Sequence, residues 1–370
     1  MVSLPEKTDL TTTCPEADSP PEIHRIDADG DLHLIVGPKK CLDMHSRSSG
    51  HPSEIPHTKA VTYIVCSKTL SRSSPVWKRL LYGGFAESKK PEAGGQWTVC
   101  LPEDEPAPMK TILNIAHGRF DQVPIEWGTV NDLYLLTVLT DKYDLTHLLR
   151  PWVRGWMRAI KTSYYDEEQH LWDIPYEAVS KCLWIAWEFG DEDSVELLFN
   201  DIAYGSPLNA SGRLEYPRKR FGFTFEDTIE PPGMADLMHT HRLEAINELL
   251  QPIRSAIDQA AMGSCLFGKP GCEALLVGSS IRSLAAREIW PLPDNSAWKL
   301  SAEMLKFRLE DITFCHDILE PMHAACADSF IRENIKPTEK WKKPELTDFH
   351  KRHLAAQAKK SGLESSDAKI

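Results

Sequence analysis

The feature that most constrains the fold is a switch of hydrophobic period within one stretch, Asp29 to Trp156. Three short runs alternate apolar and polar residues: Asp31-Leu-His-Leu-Ile-Val-Gly37, Val61-Thr-Tyr-Ile-Val-Cys66 and Gln96-Trp-Thr-Val-Cys-Leu101. Between and after them, apolar residues recur at helical spacing. The order strand, strand, helices, strand, helices is that of a small α+β unit with helices laid against a short sheet. In the first run Leu32, Leu34 and Val36 share one face, while His33 and Ile35 share the other. In the third, Trp97, Val99 and Leu101 form the inward face. The second run is apolar on both faces, so cover is expected on both sides.

Local signals place the helices. Ser67 stands where it can cap the helix after the second run. Ser74-Pro75 restarts the chain, with the serine as cap and the proline in the first turn. Val76, Leu80 and Leu81 make the stripe of that second helix, and Gly83-Gly84 ends it. Glu103-Asp-Glu105 and Pro106 precede a helix over Met109 to His117, and Val130 to Tyr143 reads as another. Leu148, Leu149, Trp152, Val153, Trp156, Met157 and Ile160 then form a strong amphipathic stripe, read as core, with Pro151 as kink or boundary.

Several of these segments also carry a resemblance. Ser67-Lys-Thr-Leu-Ser-Arg-Ser-Ser-Pro-Val-Trp-Lys-Arg-Leu-Leu81, Phe85-Ala-Glu87, Leu101-Pro-Glu-Asp-Glu105, Asp141-Lys-Tyr-Asp144 and Leu149-Arg-Pro-Trp152 follow one another in the order of a BTB/POZ domain of the fungal type. The likeness covers residues 29–160, and Leu183-Trp-Ile-Ala-Trp-Glu-Phe-Gly190 resembles the helical extension of such proteins. The resemblance implies a protein-interaction module, a scaffold or adaptor that self-associates or recruits partners. It implies a homodimer interface with Leu32, Leu34, Val36 and Leu70, and a partner interface with Pro102, Glu103, Asp104, Asp141, Tyr143 and Asp144. For part of that family the partner is a cullin-3 ubiquitin ligase. The polar stretch 38–60, with Cys41, His45, His51 and His57, is then an insertion between the first two strands.

Around this unit, residues 1–28 are expected to be a disordered tail, 165–335 a mostly helical region and 336–370 a charged tail. Within 165–335, Ala178, Cys182, Leu183, Ile185, Ala186 and Phe189 form a stripe; Gly190 breaks it, and Asp193 or Ser194 caps the next helix. A net charge of -12 argues against a protein-wide nucleic-acid footprint. The small cluster Arg213, Arg218, Lys219 and Arg220 reads as a solvated loop. No run approaches eighteen apolar residues and the first residues lack an apolar signal core, so no membrane partner is expected. Nine widely spaced cysteines do not form a disulfide framework and point to a reducing compartment, nucleus or cytoplasm.

The chain holds no Gly-x-Ser-x-Gly elbow, no phosphate loop and no His-Glu-x-x-His, so a non-enzyme without cofactor is expected. A different class of reading stays open: a metal-binding protein or enzyme using Cys265, Cys272, Cys315, His316, His323 and Cys326. Their spacing does not match the close cysteine pairs of zinc motifs.

Overall fold

The computed structural model describes residues 22–37, 59–91, 95–166, 171–172, 176–216, 223–224, 228–262, 270–310 and 341–364. The chain is mixed α+β, largely helical with one small four-stranded sheet. It divides into two compact units, Met1–Val123 and Pro124–Ile370.

The first unit is built on the sheet. Its strands are β1 (Glu22–Arg25), β2 (Leu32–Val36), β3 (Val61–Val65) and β4 (Thr98–Leu101), in the spatial order β1-β3-β2-β4. β2 and β3 pair antiparallel with Leu34 opposite Tyr63; β1 runs parallel to β3, and β4 runs parallel to β2 with Leu34 opposite Val99. Between β3 and β4 lie α1 (Ser67–Ser73) and α2 (Pro75–Tyr82), and α3 (Pro106–Ala116) follows β4. Residues 22–25, which the sequence reading assigns to the tail, are a sheet strand here. Its ladder with β3 is continued by the turn after it, where the Ile26 and Asp27 amides donate to the Ile64 carbonyl and Ile26 is buried.

The helix starts follow the expected chemistry with one change. Ser74 Oγ accepts from the amides of Val76 and Trp77, both at 3.0 Å, and Pro75 occupies the first turn of α2. Ser67 does not cap α1: Cys66 is the capping residue, and Ser67 lies inside the first turn with its side chain turned to Asp31.

Leu32, Leu34, Val36 and Leu70, expected at a dimer interface, are buried in the core of this unit. For the three residues of β2 the pleat sets this burial. The β2 residues that alternate toward the surface are His33 and Ile35, each half-buried.

In the second unit α4 (Val130–Tyr143) and α5 (Arg150–Tyr164) are followed by α6 (Tyr176–Phe189), α7 (Glu192–Gly205), α8 (Met234–Ala261), α9 (Pro270–Ala286), α10 (Ala302–Glu310) and α11 (Asp348–Ser361). Two two-residue strand pairs, Tyr165–Asp166 with Leu171–Trp172 and Glu215–Tyr216 with Phe223–Thr224, interrupt the helices. The units therefore part at Val123, not near 160, and the stripe of α5 belongs to the second core. Val153, Trp156, Met157 and Ile160 are buried there, and Pro151 sits in the first turn of α5 without kinking it from within. α4 packs on α6, α6 on α7 and α7 on α8. From Ala178 to Gly190 every residue of α6 and its end except Lys181 is buried, so this helix is the centre of the unit.

Residues 348–361, read as part of a solvated tail, form α11 and pack against α6. No described helix is long and apolar enough to cross a membrane.

Candidate functional site

A helix buried on all sides has no polar face, yet α6 carries Glu188, whose side chain is fully buried. Three elements supply its partners. Thr140, near the C-terminal end of α4, places Oγ1 3.1 Å from Glu188 Oε1. Thr146, in the short turn after α4, hydrogen-bonds the same oxygen. Gln357 of α11 donates from Nε2 to Glu188 Oε2 at 2.6 Å.

Burial pushes the Glu188 carboxyl up to about 8, and the Asp141 charge adds to the rise; the Thr146, Thr140 and Gln357 bonds offset only part of it. A charge taken out of water without a cation partner is costly, so the neutral acid is the resident form near pH 7. Its hydrogen bonds can all be satisfied. Thr140 Oγ1 also lies 3.1 Å from the Thr137 carbonyl. The hydroxyl then donates to that carbonyl and accepts the carboxyl proton, while Gln357 donates to the other oxygen.

The same corner gathers the contacts that hold α11. Ser361 Oγ donates to the Phe189 carbonyl at 2.6 Å, and Lys360 Nζ meets Asp144 Oδ1 at 2.8 Å. Asp144 ends α4 in the left-handed region, at φ 52°, which an aspartate tolerates better than most residues. The His353 ring stacks on Trp187 with centroids 4.0 Å apart. Burial holds the His353 imidazole below its ordinary value, helped by Lys360 and His350. At the C-terminal end of α11, Arg154 of α5 donates to the Gly362 carbonyl at 3.3 and 3.1 Å.

Gly190 sets how close α11 can come. Its φ is +73°, and a Cβ there would sit 2.2 Å from the Ala358 amide nitrogen and 2.4 Å from the Leu354 carbonyl oxygen. Only glycine permits both the backbone turn and this approach.

Leu354 is the single large aliphatic side chain of α11 in the core; the other buried side chains are His350, Gln357 and Ser361, while Phe349 is half exposed. Burying one leucine contributes about 1.5–3 kcal/mol. A typical hydrogen bond adds about 1 kcal/mol. α11 is thus held by a few polar contacts and by ring contacts with Trp187, each modest.

A second buried charge lies elsewhere in this unit. Arg242 of α8 is fully buried and its Nη2 donates to the carbonyls of Trp298 and Leu300, both at 2.7 Å. Burial pulls its guanidinium down to about 10. It pins the segment before α10; among the described residues its Nε and Nη1 have no partner.

The first unit has its own polar junction, at the start of α1. Asp31 accepts from the Ser67 amide and hydroxyl, each at 2.7 Å, and the Ser67 hydroxyl also meets Tyr82. Burial opposes the Asp31 charge, but the Ser67 donors and Lys90 outweigh it and hold the carboxyl below its ordinary range. His117, just after α3, accepts from the Cys66 amide at Nε2, 3.0 Å, and its Nδ1 faces the Leu113 carbonyl at 2.8 Å. The ring is therefore the neutral tautomer with the proton on Nδ1, and burial keeps its pKa below the usual histidine value.

The expected partner residues divide between the units. Pro102 and Glu103 are exposed in the first unit, whereas Asp104 is buried there. In the second, Asp141 is exposed, Asp144 is half exposed and paired with Lys360, and Tyr143 is packed in the core, with 3% of its surface exposed. Of the metal candidates, Cys272 is buried on α9, and Cys265, Cys315, His316, His323 and Cys326 lie outside the described residues, as do residues 38–58 of the expected insertion. Among the described residues no group of three or more His, Cys, Asp or Glu is arranged to hold a metal ion.

Glu188, Gln357 and Arg242 were not among the residues expected at a site. The signal for Glu188 was present: it stands in Trp184-Ile-Ala-Trp-Glu-Phe189, a run apolar on every helical face. Gln357 and Arg242 carry no such local mark.

No family model matches the chain, and no curated protein matches its sequence.

Proposed function

We propose that the chain is a protein-interaction adaptor whose first unit is the recruiting module. The observation that carries this reading is the order of elements around the sheet. The hairpin β2–β3, the helix pair α1–α2, the parallel return of β4 and then α3 follow the order that the BTB/POZ resemblance implies.

The sheet also offers a mode of association. β1 is an edge strand, paired only with β3 among the described strands, and its Ile23 is 58% exposed. An open edge with an exposed aliphatic residue is a template for a further strand. In this reading self-association adds β1 of a second copy to the sheet, and the buried Leu32, Leu34 and Val36 support the strand from inside. Recruitment of another protein, for which the resemblance implies cullin-3, falls to the exposed Pro102–Glu103 corner.

The test is made on the full chain. Sedimentation over a range of concentrations is expected to give a dimer that Ile23→Asp converts to monomer. A photo-crosslinker at position 103 is expected to give a discrete heavier adduct in cells, with cullin-3 as the first candidate for its identity. A chain that stays monomeric at all concentrations and yields no adduct from position 103 overturns the adaptor reading.

A further inference from the structure

The geometry points to α11 as a detachable clasp: docked, it covers the Asp144 end of α4 and seals Glu188 in the core; released, it frees that end and opens the carboxyl to water. The contacts named above carry the clasp itself, and only its consequence for recruitment rests on the adaptor reading.

Three observations converge. First, α11 holds on through polar contacts of Gln357, Ser361, Lys360 and His350 and the stack of His353 on Trp187, with one buried leucine, which is a small aliphatic share for a packed helix. Second, α11 approaches Gly190 so closely that any side chain there would strike the Ala358 and Leu354 backbone, so its seat depends on this one glycine. Third, Lys360 occupies Asp144, a residue that the sequence reading assigns to a partner surface. A partner using that end of α4 must present its own cation where Lys360 now lies.

The docked and released states differ by one proton. The charged and titratable groups around Glu188 are Asp141 and Asp144 from α4, Lys360, His353 and His350 from α11, and Asp191 beyond the end of α6, itself held by Lys161 of α5. The turn after α4 contributes only the Thr146 hydroxyl at this point. Among the described residues no cation contacts the carboxylate, so docking keeps Glu188 neutral; once hydrated it ionises as an ordinary glutamate does. Docking is therefore strongest in acid and weakens as pH rises toward about 8. His353 acts in the opposite sense, because its buried ring prefers to be neutral.

Amide hydrogen exchange of the full chain, corrected for the intrinsic pH dependence of exchange, reads the clasp without reference to any partner. In the native chain α11 amides are expected to open independently of α6 and α7. Their protection should fall by up to roughly tenfold per pH unit between about pH 6 and 8, as loss of one proton requires. Glu188→Gln should hold α11 and flatten that slope. Lys360→Ala, at a half-exposed position, should lower α11 protection and leave α6 and α7 unchanged. Exchange of α11 only together with α6 and α7 overturns the clasp, as does an undiminished slope in a folded Glu188→Gln chain. If that variant does not fold, the native chain and Lys360→Ala decide. Because no partner enters this readout, failure of the clasp and failure of the adaptor reading are told apart.

Discussion

Replacing Glu188 by glutamine keeps the shape of the buried side chain and removes its proton chemistry. The sign of the effect follows from the raised value. An ordinary glutamate titrates near 4.5 and the buried one near 8, so the folded chain binds the extra proton between those limits. The native stability contribution is full below about 4.5 and is lost as pH rises through about 8. Denaturant unfolding of Glu188→Gln is expected to match or exceed the native chain at pH 8, and the native advantage is expected to grow toward pH 5. Parallel pH profiles for the two chains would refute this. At the same scale, legibility depended on the company a residue keeps. Ser74 was readable as a cap because its role is local, and it caps α2. Leu34 and Leu70 were readable as apolar but not as core, because a resemblance to an interface says nothing of which face of a strand or helix is covered. Glu188 could have been read as an anomaly in an apolar helix, but its partners come from residues 42 to 169 positions away.

Elements differ in how much of their stability is local. Ser74→Ala removes the side chain that satisfies two amides at the start of α2, and the serine itself is buried. A loss of about 1 kcal/mol, within the range of about 0.5–2 kcal/mol for such caps, is expected in denaturant unfolding of the first unit. An unchanged midpoint would show that the cap is dispensable. Gly190→Ala acts in another way, on the packing of α11: its Cβ meets the α11 backbone, and the turn needs positive φ. The left-handed strain of about 1–2 kcal/mol adds to the steric conflict. Limited proteolysis is expected to cut α11 in this variant while α6 and α7 resist, and equal resistance of α11 in both chains would contradict the packing described. The stripes of α5 and α6 were legible because large apolar residues recur at helical spacing. β1 and α11 were not. β1 is four mostly polar residues on a sheet edge, and α11 buries Gln357 and Ser361 beside a single leucine, which leaves almost no hydrophobic period to read. The cap after α6 was displaced for a related reason: Asp191, not Asp193 or Ser194, starts α7, since Gly190 turns the chain in one residue and its neighbour already accepts from the Ser194 amide at 3.3 Å.

At the scale of the molecule, the α+β class was legible, but the place where the two cores part was not. α4 shows apolar residues almost all round, with Leu133, Tyr134, Leu136, Leu139 and Tyr143 buried, so the sequence does not say which neighbour they meet; they meet α6. That division has a consequence for pH. In the first unit His117 is neutral and accepts the Cys66 amide, and its value lies below that of a free histidine. Its contribution is full above about 6.5 and is lost as pH falls through the lower folded value. His33, also held down by burial and by Arg25, has the same sign. In the second unit Glu188 has the opposite sign, losing its contribution as pH rises toward about 8, with His353 offsetting part of it. Each unit of pKa difference is worth about 1.4 kcal/mol, so the rise at Glu188 outweighs one partly buried histidine. Moving from pH 8 to pH 5.5 is therefore expected to strengthen the second unit and weaken the first. Hydrogen exchange of the slowest amides, corrected for intrinsic rates, checks this on one sample, with β2 and β3 reporting on the first unit and α6 and α7 on the second. His117→Gln, which cannot gain the proton, should reduce the acid loss in β2 and β3 only. If the slow amides of both units shift in the same direction by the same factor, the chain unfolds as one cooperative body, and the separate pH signatures assigned to the two cores are wrong.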